Sequence, residues 1–240
     1  MELKGKVAIV TGGAQGIGAA IARRLSGEGS AVVIADINQK AAEKLAQELG
    51  GGSFAVTADI SALKDIQRIV IDTLQRLMRI DILVNNAGIA HQVDIMEITE
   101  TQFDQVLSVN LKGTVFLSKL VLQEMVANRY GRIVNIASLA GERGGQFAGI
   151  HYSASKAGVI AATKCMALKG GPYGVTANAV APGLIATELA EKLKFNTNEI
   201  AMKRLGTVEE VADVVEFLCS DRASYVTGAT IDVNGGILMR

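Results

Sequence analysis

The sequence predicts an α/β fold, a doubly wound parallel sheet of seven strands with helices on both faces. Seven short apolar, β-branched runs recur along the chain, and stretches with helical spacing of apolar residues separate them. The runs are apolar throughout rather than alternating, which is typical of strands buried on both faces of a parallel sheet. The predicted strands are Val7–Thr11, Ala31–Asp36, Phe54–Asp59, Ile82–Asn86, Arg132–Ser138, Thr176–Pro182 and Thr230–Val233.

The composition indicates one domain over residues 1–240 with a large core. Of the 240 residues, 49% are hydrophobic, and the 24 Lys+Arg balance the 24 Asp+Glu. This balance disfavours nucleic acid or an anionic membrane surface as a partner. No apolar run is long enough to span a membrane, and the first strand starts at Val7, too early to follow a signal peptide. We therefore expect a cytoplasmic protein.

About six helices are predicted between the strands. The stretch from Leu63 to Leu77 carries an apolar face, and the stretch after Thr207 carries another. Cys165 and Cys219 both occur in helical apolar patterns, so we expect buried side chains rather than a disulfide or a metal site. The apolar residues of 184–201 do not form a single helical face. Two structures are possible for this segment: a substrate-binding loop region that acts as a lid, or a packed pair of helices.

A glycine-rich turn, Thr11–Gly18, follows the first predicted strand and precedes a helix. Glycines allow the backbone to approach a pyrophosphate closely, and the N-terminus of the helix offers free N–H groups. Asp36 ends the second strand, near the offset of about 20 residues expected for a carboxylate that binds an adenosine ribose. Capping of the next helix is the alternative for this carboxylate.

A catalytic group is predicted from Tyr152 and Lys156, which are four residues apart and so share one face of a helix. A nearby ammonium favours the phenolate and lowers the pKa of a tyrosine. Such a tyrosine can donate a proton to a carbonyl oxygen or accept one from an alcohol. Ser138, at the end of the fifth strand, is placed to bind the same oxygen.

These motifs occur in the order found in one enzyme family. From Lys4 to Gly236 the chain resembles the short-chain dehydrogenase/reductases. The resemblance implies a Rossmann fold with strand order 3-2-1-4-5-6-7 and a nicotinamide dinucleotide. The motifs that carry it are the turn at Thr11–Gly18, Asp59, Asn85–Gly88, Asn110, Ser138, Tyr152, Lys156 and Pro182–Thr187.

The resemblance also implies a role for each catalytic residue. Tyr152 is the general acid/base, and Lys156 lowers its pKa and holds the nicotinamide ribose. Ser138 positions the substrate oxygen, and Asn110 holds a water that relays a proton from Lys156.

Contacts to the cofactor are implied in the same way. Asp59 contacts the adenine, and Ile185 and Thr187 hold the carboxamide. The implied cofactor-binding residues are Gly12, Gln15, Gly16, Ile17, Gly18, Asp36, Ile37, Asp59, Ile60, Asn86, Ala87, Gly88, Tyr152, Lys156, Pro182, Gly183, Ile185 and Thr187. The Asp36 carboxylate would repel the 2′-phosphate of NADP. The neutral residues Gln15 and Ile37 stand where NADP-binding relatives carry basic residues. NAD(H) is therefore expected over NADP(H). No metal is expected.

Two histidines are harder to interpret. His91 follows the Asn85–Gly88 motif, and the sequence allows either a contact with substrate or an ordinary loop position for it. His151 precedes Tyr152, and the sequence does not decide whether it lines the pocket. A stripe of apolar residues runs from Leu117 to Met125 and predicts core or subunit packing.

Within the family, the pattern resembles bacterial 3-oxoacyl-acyl-carrier-protein reductases most closely. Arg129 matches one arginine that docks the carrier protein, but Tyr173 replaces the second. An NAD-dependent polyol, sugar or small secondary alcohol dehydrogenase is the alternative, and a non-catalytic dinucleotide sensor is a remote one. The resemblance also implies a homotetramer. The Phe103–Met125 stretch and the apolar chain end at Ile237–Met239 are expected to supply apolar surface for the contacts between subunits.

Overall fold

The computed structural model of the chain, which describes residues 1–145, 149–187 and 196–239, contains one parallel sheet of seven strands in the order β3-β2-β1-β4-β5-β6-β7. The predicted fold class and strand order are confirmed. The strands are β1 Val7–Thr11, β2 Ala31–Asp36, β3 Phe54–Thr57, β4 Ile82–Asn85, β5 Gly131–Ile136, β6 Val175–Pro182 and β7 Thr230–Val233.

The predicted ends of three strands were wrong, since β3 and β5 each stop two residues early and β4 stops one residue early, at Asn85. Ser138 therefore lies in the turn after β5 rather than in the strand. Its side-chain oxygen accepts a hydrogen bond from the backbone N–H of Ala140 over 3.1 Å, so it caps the next helix. A capping residue turns the chain out of the sheet and ends the pairing.

Eight α-helices lie in the described ranges, two more than expected. One predicted helical stretch is divided by a π-helical segment at Ser108–Gly113, and a short helix follows Ser138. The helices are α1 Gly16–Gly27, α2 Gln39–Leu49, α3 Leu63–Leu77, α4 Glu100–Leu107, α5 Thr114–Asn128, α6 Leu139–Arg143, α7 Ile150–Gly170 and α8 Val208–Cys219.

The core divides into two main layers, one on each face of the sheet. Successive residues of β1 point to opposite layers, as Val10 packs with α1, α2 and α8 while Ile9 packs with α3, α5 and α7. In the predicted stripe of Leu117, Leu120, Val121 and Met125, Leu120 is partly buried and the other three are completely buried in the second layer. The stripe is therefore core of this chain, and it leaves less apolar surface for other subunits than the sequence indicated.

The expectation of two buried cysteines was half right. Cys219 is buried, but Cys165 is exposed, because it lies on the outer face of α7, and both thiols are free. Residues 188–195 of the expected lid, with Leu189, Leu193 and Phe195, lie outside the described residues. None of the described helices is both long enough and apolar enough to cross a membrane.

Candidate active site

The predicted site residues gather at one edge of the sheet, where the parallel strands end. These residues lie at or directly after the carboxyl ends of strands: the turn after β1, Asp36, the Asn86–Gly88 segment, Ser138 and the Pro182–Thr187 segment. In open α/β sheets the ligand crevice lies at this edge. The sheet thus brings together side chains that are far apart in the sequence.

A cavity of about 660 Å³ opens at this edge. Half of the predicted site residues line it, namely Ile17, Asn86, Gly88, Ser138, Tyr152, Lys156, Pro182, Gly183, Ile185 and Thr187. A second groove of about 620 Å³ contains Gln15 and Gly16. Thr187 belongs to both, so the two openings adjoin at the start of α1.

Two glycines of the turn, Gly12 and Gly18, are packed too tightly for side chains. Gly12 has a φ of +58°, and a Cβ there would lie 2.8 Å from the Cα of Ala87. A Cβ on Gly18 would lie 2.1 Å from the carbonyl oxygen of Gly12. Gly16 also has a positive φ, of +53°, with open space around it. This exposed backbone at the N-terminus of α1 fits a pyrophosphate.

Asn86 braces this turn from the end of β4. Its side-chain amide donates to the carbonyl oxygens of Thr11, over 3.0 Å, and Gly12, over 2.9 Å. The Thr11 hydroxyl in turn accepts the backbone N–H groups of Asn86 and Ala87. Thr11 was not predicted as a separate site residue, although its position at the end of the first strand could have identified it as one.

Asp36 is tied to the glycine turn. Its two carboxylate oxygens accept the backbone N–H groups of Ala14, over 3.0 Å, and of Asn38, over 2.9 Å. The α2 helix is capped by the side chain of Asn38 itself, so capping is not the role of Asp36. The carboxylate is held beside the turn, where a ribose would lie, and Ile37 next to it is 75% exposed.

Asp59 and Ile60 follow β3, but they differ in exposure. The exposed carboxylate of Asp59 accepts the backbone N–H of Ser61 over 2.8 Å. Ile60 is buried against the π-helical segment, where a Cβ on Gly113 would lie 2.6 Å from the Ile60 carbonyl oxygen. Their contacts to adenine stay predictions.

Ser138 and Tyr152 meet because α6 packs closely on α7. A Cβ on Gly141 would lie 2.7 Å from the backbone carbonyl carbon of Lys156, so only glycine permits this approach. The side chains of Tyr152 and Ser138 both line the cavity, and the Ser138 hydroxyl is close enough to influence the ionisation of the Tyr152 phenol. Lys156, one helical turn beyond Tyr152, has its Nζ 5.8 Å from the centre of the tyrosine ring.

The surroundings shift the ionisation of both groups. Burial raises the pKa of Tyr152, and the Ser138 hydroxyl acts in the opposite direction. Burial lowers the pKa of Lys156 to about 8. Both shifts follow from the cost of desolvating a charge. The expected lowering of the Tyr152 pKa was wrong for the protein without bound ligands, because burial outweighs the other influences on the phenol.

Asn110 lies in the π-helical segment and holds the loop after β4. Its side-chain oxygen accepts the backbone N–H of Ile89 over 2.8 Å. Its side-chain nitrogen donates to the carbonyl oxygen of Ile89, over 2.9 Å, and to the hydroxyl of Ser155, over 3.0 Å. The side chain thus positions the cavity wall, while its role in a water relay stays a prediction.

Comparison with known proteins places the chain in a family. A family model described as enoyl-(acyl carrier protein) reductase matches residues 12–238. A solved short chain dehydrogenase/reductase family protein is 38% identical, with a TM-score of 0.91 and 98% of each chain covered. The chain belongs to the short-chain dehydrogenase/reductase family. It is therefore an oxidoreductase that acts on CH–OH groups and their ketones.

Curated members of the family are similar over their whole length. The 3-oxoacyl-(acyl-carrier-protein) reductase FabG of Aquifex aeolicus (strain VF5) is 41% identical, with 99% of this chain and 99% of the relative covered. FabG proteins of Buchnera aphidicola and Thermotoga maritima are 38% and 39% identical, with both chains of each pair covered completely.

The residues present fit the nicotinamide dinucleotide that this dehydrogenase/reductase family uses. A cradle that Cβ atoms would fill lies at Gly12 and Gly18, with a carboxylate beside it and Lys156 at its far end. Bound there, the dinucleotide supplies or accepts a hydride. The roles of Ser138 in holding the substrate oxygen and of Tyr152 in moving its proton stay predictions.

The cavity also contains residues that the sequence did not single out. Arg143 and Glu199 face one another across it, with 3.9 Å between guanidinium and carboxylate. Ile237, which the sequence analysis assigned to a subunit surface, lines the cavity too. Only tertiary structure brings these residues to the site. No three His, Cys, Asp or Glu side chains of the described ranges cluster as metal ligands.

Proposed function

We propose that this short-chain dehydrogenase/reductase reduces 3-oxoacyl thioesters to 3-hydroxyacyl thioesters. The observation that carries the proposal is the pair of hydroxyl side chains, Ser138 and Tyr152, at one cavity with apolar walls. Leu139, Leu184 and Ile237 contribute to these walls. The two hydroxyl groups mark where a ketone oxygen binds, and the apolar walls suit an acyl chain. The names of the curated relatives support the same substrate class.

The reaction at this site transfers a hydride and a proton to the ketone. The carbonyl carbon at position 3 gains a hydride from the dinucleotide, and Tyr152 donates its proton to the carbonyl oxygen. The raised pKa of Tyr152 keeps the phenol protonated at neutral pH, as reduction requires. The charged form of Lys156, whose Nζ borders the same cavity, stabilises negative charge that develops on the tyrosine oxygen.

NAD(H) is the proposed coenzyme. The support is the Asp36 carboxylate, which is held at the glycine turn by Ala14 and would meet a 2′-phosphate as a like charge. Arg23, one basic side chain near the turn, is already paired with Glu48 at 3.1 Å.

A second candidate, an NAD-dependent polyol or small secondary alcohol dehydrogenase, is favoured by one observation. Tyr173 stands where the reductases that this chain resembles carry a second arginine for the carrier protein. The Arg129 guanidinium lies 6.0 Å from the centre of the Tyr173 ring, so the remaining arginine faces an aromatic group. A substrate free of a carrier protein would not need that surface.

The assembly and partners are proposed alongside this activity. We infer a homotetramer, supported by Phe103 and Phe116, which are each 38% exposed on α4 and α5. Acyl carrier protein is the proposed bearer of the acyl group, with Arg129 as its contact. A single domain over residues 1–240 is supported by the one continuous sheet. The cytoplasmic location stays a prediction.

One substrate panel tests the activity and the coenzyme together. The purified protein is assayed with NADH and with NADPH on acetoacetyl-CoA, acetoacetyl-acyl-carrier-protein, and, in the oxidative direction, polyols and diols. We expect reduction of the acetoacetyl thioesters with NADH. Turnover of polyols without turnover of thioesters would favour the second candidate instead.

A further inference from the structure

Two histidines form a stacked pair beside the catalytic tyrosine. The imidazoles of His91 and His151 lie with their centres 5.9 Å apart and their planes 17° apart. His151 is 0% exposed and precedes Tyr152 on α7, while His91 lines the catalytic cavity with Ser138 and Tyr152. The mechanism above uses neither imidazole.

Three of the four ring nitrogens of this pair are buried without a hydrogen-bond partner among the described residues. Within residues 1–145, 149–187 and 196–239, both nitrogens of His151 and the Nε2 of His91 lack a partner. Buried polar groups without partners destabilise a fold, and most are satisfied in native proteins. Burial and the neighbouring His91 lower the pKa of His151, so its ring is neutral near pH 7. Each neutral ring carries one N–H donor and one acceptor.

The loop that carries His91 is held in place from both sides. The Asn110 side chain makes two hydrogen bonds with the backbone of Ile89, as described above. The backbone N–H of Gly149, just before α7, donates to the carbonyl oxygen of His91 over 3.2 Å. Because the backbone is anchored on both sides of the pair, the two imidazoles keep one position relative to Tyr152.

A 3-oxoacyl thioester has a second oxygen near the reacting ketone. Its thioester carbonyl lies two carbons from the ketone carbon and can only accept hydrogen bonds. The ketone oxygen belongs at Ser138 and Tyr152, so the second oxygen extends along the cavity wall. The imidazole of His91 on that wall supplies an N–H donor from which this oxygen can accept a hydrogen bond.

We propose that His91 and His151 form a polar subsite that binds the thioester carbonyl oxygen, with His91 in contact with the substrate and His151 positioning the His91 ring. This specificity-determining role rests on the proposed function. It gives the His91 imidazole at the catalytic cavity a role, since the substrate completes the hydrogen bonding of that ring.

The test compares a substrate that has the second carbonyl with one that lacks it. Initial rates with NADH are measured on an acetoacetyl thioester and on a simple methyl ketone of similar length, for the wild type and for His91→Leu. We expect His91→Leu to lower kcat/KM for the thioester about tenfold, the value of one hydrogen bond. The simple ketone should change less than about twofold, because it makes no use of that bond.

His91→Asn is the matched control, because it keeps an N–H donor at the same position. It should restore part of the preference for the thioester. Equal losses on both substrates, or no loss on either, would overturn the proposal. A wild-type protein that is inactive on the thioester would instead overturn the proposed function and this inference together.

His151→Leu tests the positioning role separately. An apolar side chain of similar size removes two unsatisfied nitrogens, so the melting temperature should stay the same or rise. The preference for the thioester should nevertheless fall about threefold, because the His91 ring loses the neighbour that orients it. An unchanged preference at an unchanged melting temperature would show that His151 is only a packing residue.

Discussion

The ammonium of Lys156 donates a hydrogen bond to the carbonyl oxygen of Ile136, the last residue of β5, over 2.6 Å. This bond fastens α7 to the end of the sheet in the middle of the cavity. A Cβ on Gly88 would come within 3.4 Å of the same Nζ, so the ammonium is enclosed from the side of β4 as well. The burial that lowers its pKa is thus a direct consequence of its position between two strand ends.

The first prediction concerns how activity depends on pH. Lys156, with a pKa of about 8, is charged below that pH and loses its proton above it. Tyr152, whose pKa burial raises, stays protonated through the same range. We therefore expect kcat/KM for ketone reduction to be level below about pH 8 and to fall above it as one proton is lost.

The measurement is a pH–rate profile at low substrate concentration, with far-UV circular dichroism at each pH to verify that the protein remains folded. Lys156→Arg, which stays charged at high pH, is the control that should move the decline upward. A profile that remains level to pH 9.5 or above, roughly one and a half units past the pKa, would contradict the assignment.

The second prediction concerns the proton donor. Tyr152→Phe keeps the aromatic packing on α7 but removes the proton that goes to the ketone oxygen. Turnover should fall by about 10²–10⁴-fold, while the affinity for NADH stays within about threefold. Single-turnover rates and NADH fluorescence titration separate the two effects. Near-normal kcat in the purified variant would rule out this mechanism.

The third prediction concerns the coenzyme. A 2′-phosphate beside Asp36 would cost about 1–4 kcal/mol by charge repulsion, so kcat/KM should favour NADH over NADPH at least about tenfold. Asp36→Ala with Ile37→Arg should narrow or reverse this ratio. The change is measured with both coenzymes on one substrate.

Asp36→Asn is the better-matched variant for this question, because its amide oxygen can still accept the N–H of Ala14 that braces the turn. It removes the charge and the hydrogen bond from the exposed backbone N–H of Asn38, so the ratio should narrow with a loss of stability of about 1 kcal/mol. Equal use of NADPH by the wild type would refute the assignment of Asp36.

The fourth prediction concerns the close packing of the glycine turn. Gly18→Ala forces a Cβ to within 2.1 Å of the Gly12 carbonyl oxygen, so it should lower the melting temperature and weaken NADH binding. Gly27→Ala, on the same helix, meets no atom within 4 Å and has no positive φ. It should leave both unchanged or add about 0.5–1 kcal/mol of helix stability. Similar behaviour of the two variants would contradict the packing argument.

The fifth prediction concerns assembly. Light scattering after gel filtration should report four copies at micromolar concentration. Replacing the exposed Phe103 and Phe116 with serine should shift the protein toward smaller species, since these rings supply apolar surface on α4 and α5. A monomeric wild type would refute the homotetramer.

Patterns within short stretches of sequence were sufficient for the architecture. The apolar runs predicted all seven strands, and the strand order implied by the family resemblance is the one observed. The four-residue spacing predicted that Tyr152 and Lys156 share a helix, and both lie on α7. These features depend on hydrophobic periodicity and on local backbone geometry, which neighbouring residues set by themselves.

The environment of each site residue depended on the tertiary structure. Asn86 braces a turn 75 residues away, and Lys156 reaches a carbonyl group 20 residues away. Cys165 follows an apolar helical pattern, yet it faces outward because the sheet covers a different side of α7. Hydrogen bonds and burial of this kind arise only where separate elements meet. Sequence motifs and the family resemblance predict the residues of this site, and packing between distant segments sets their partners and their protonation.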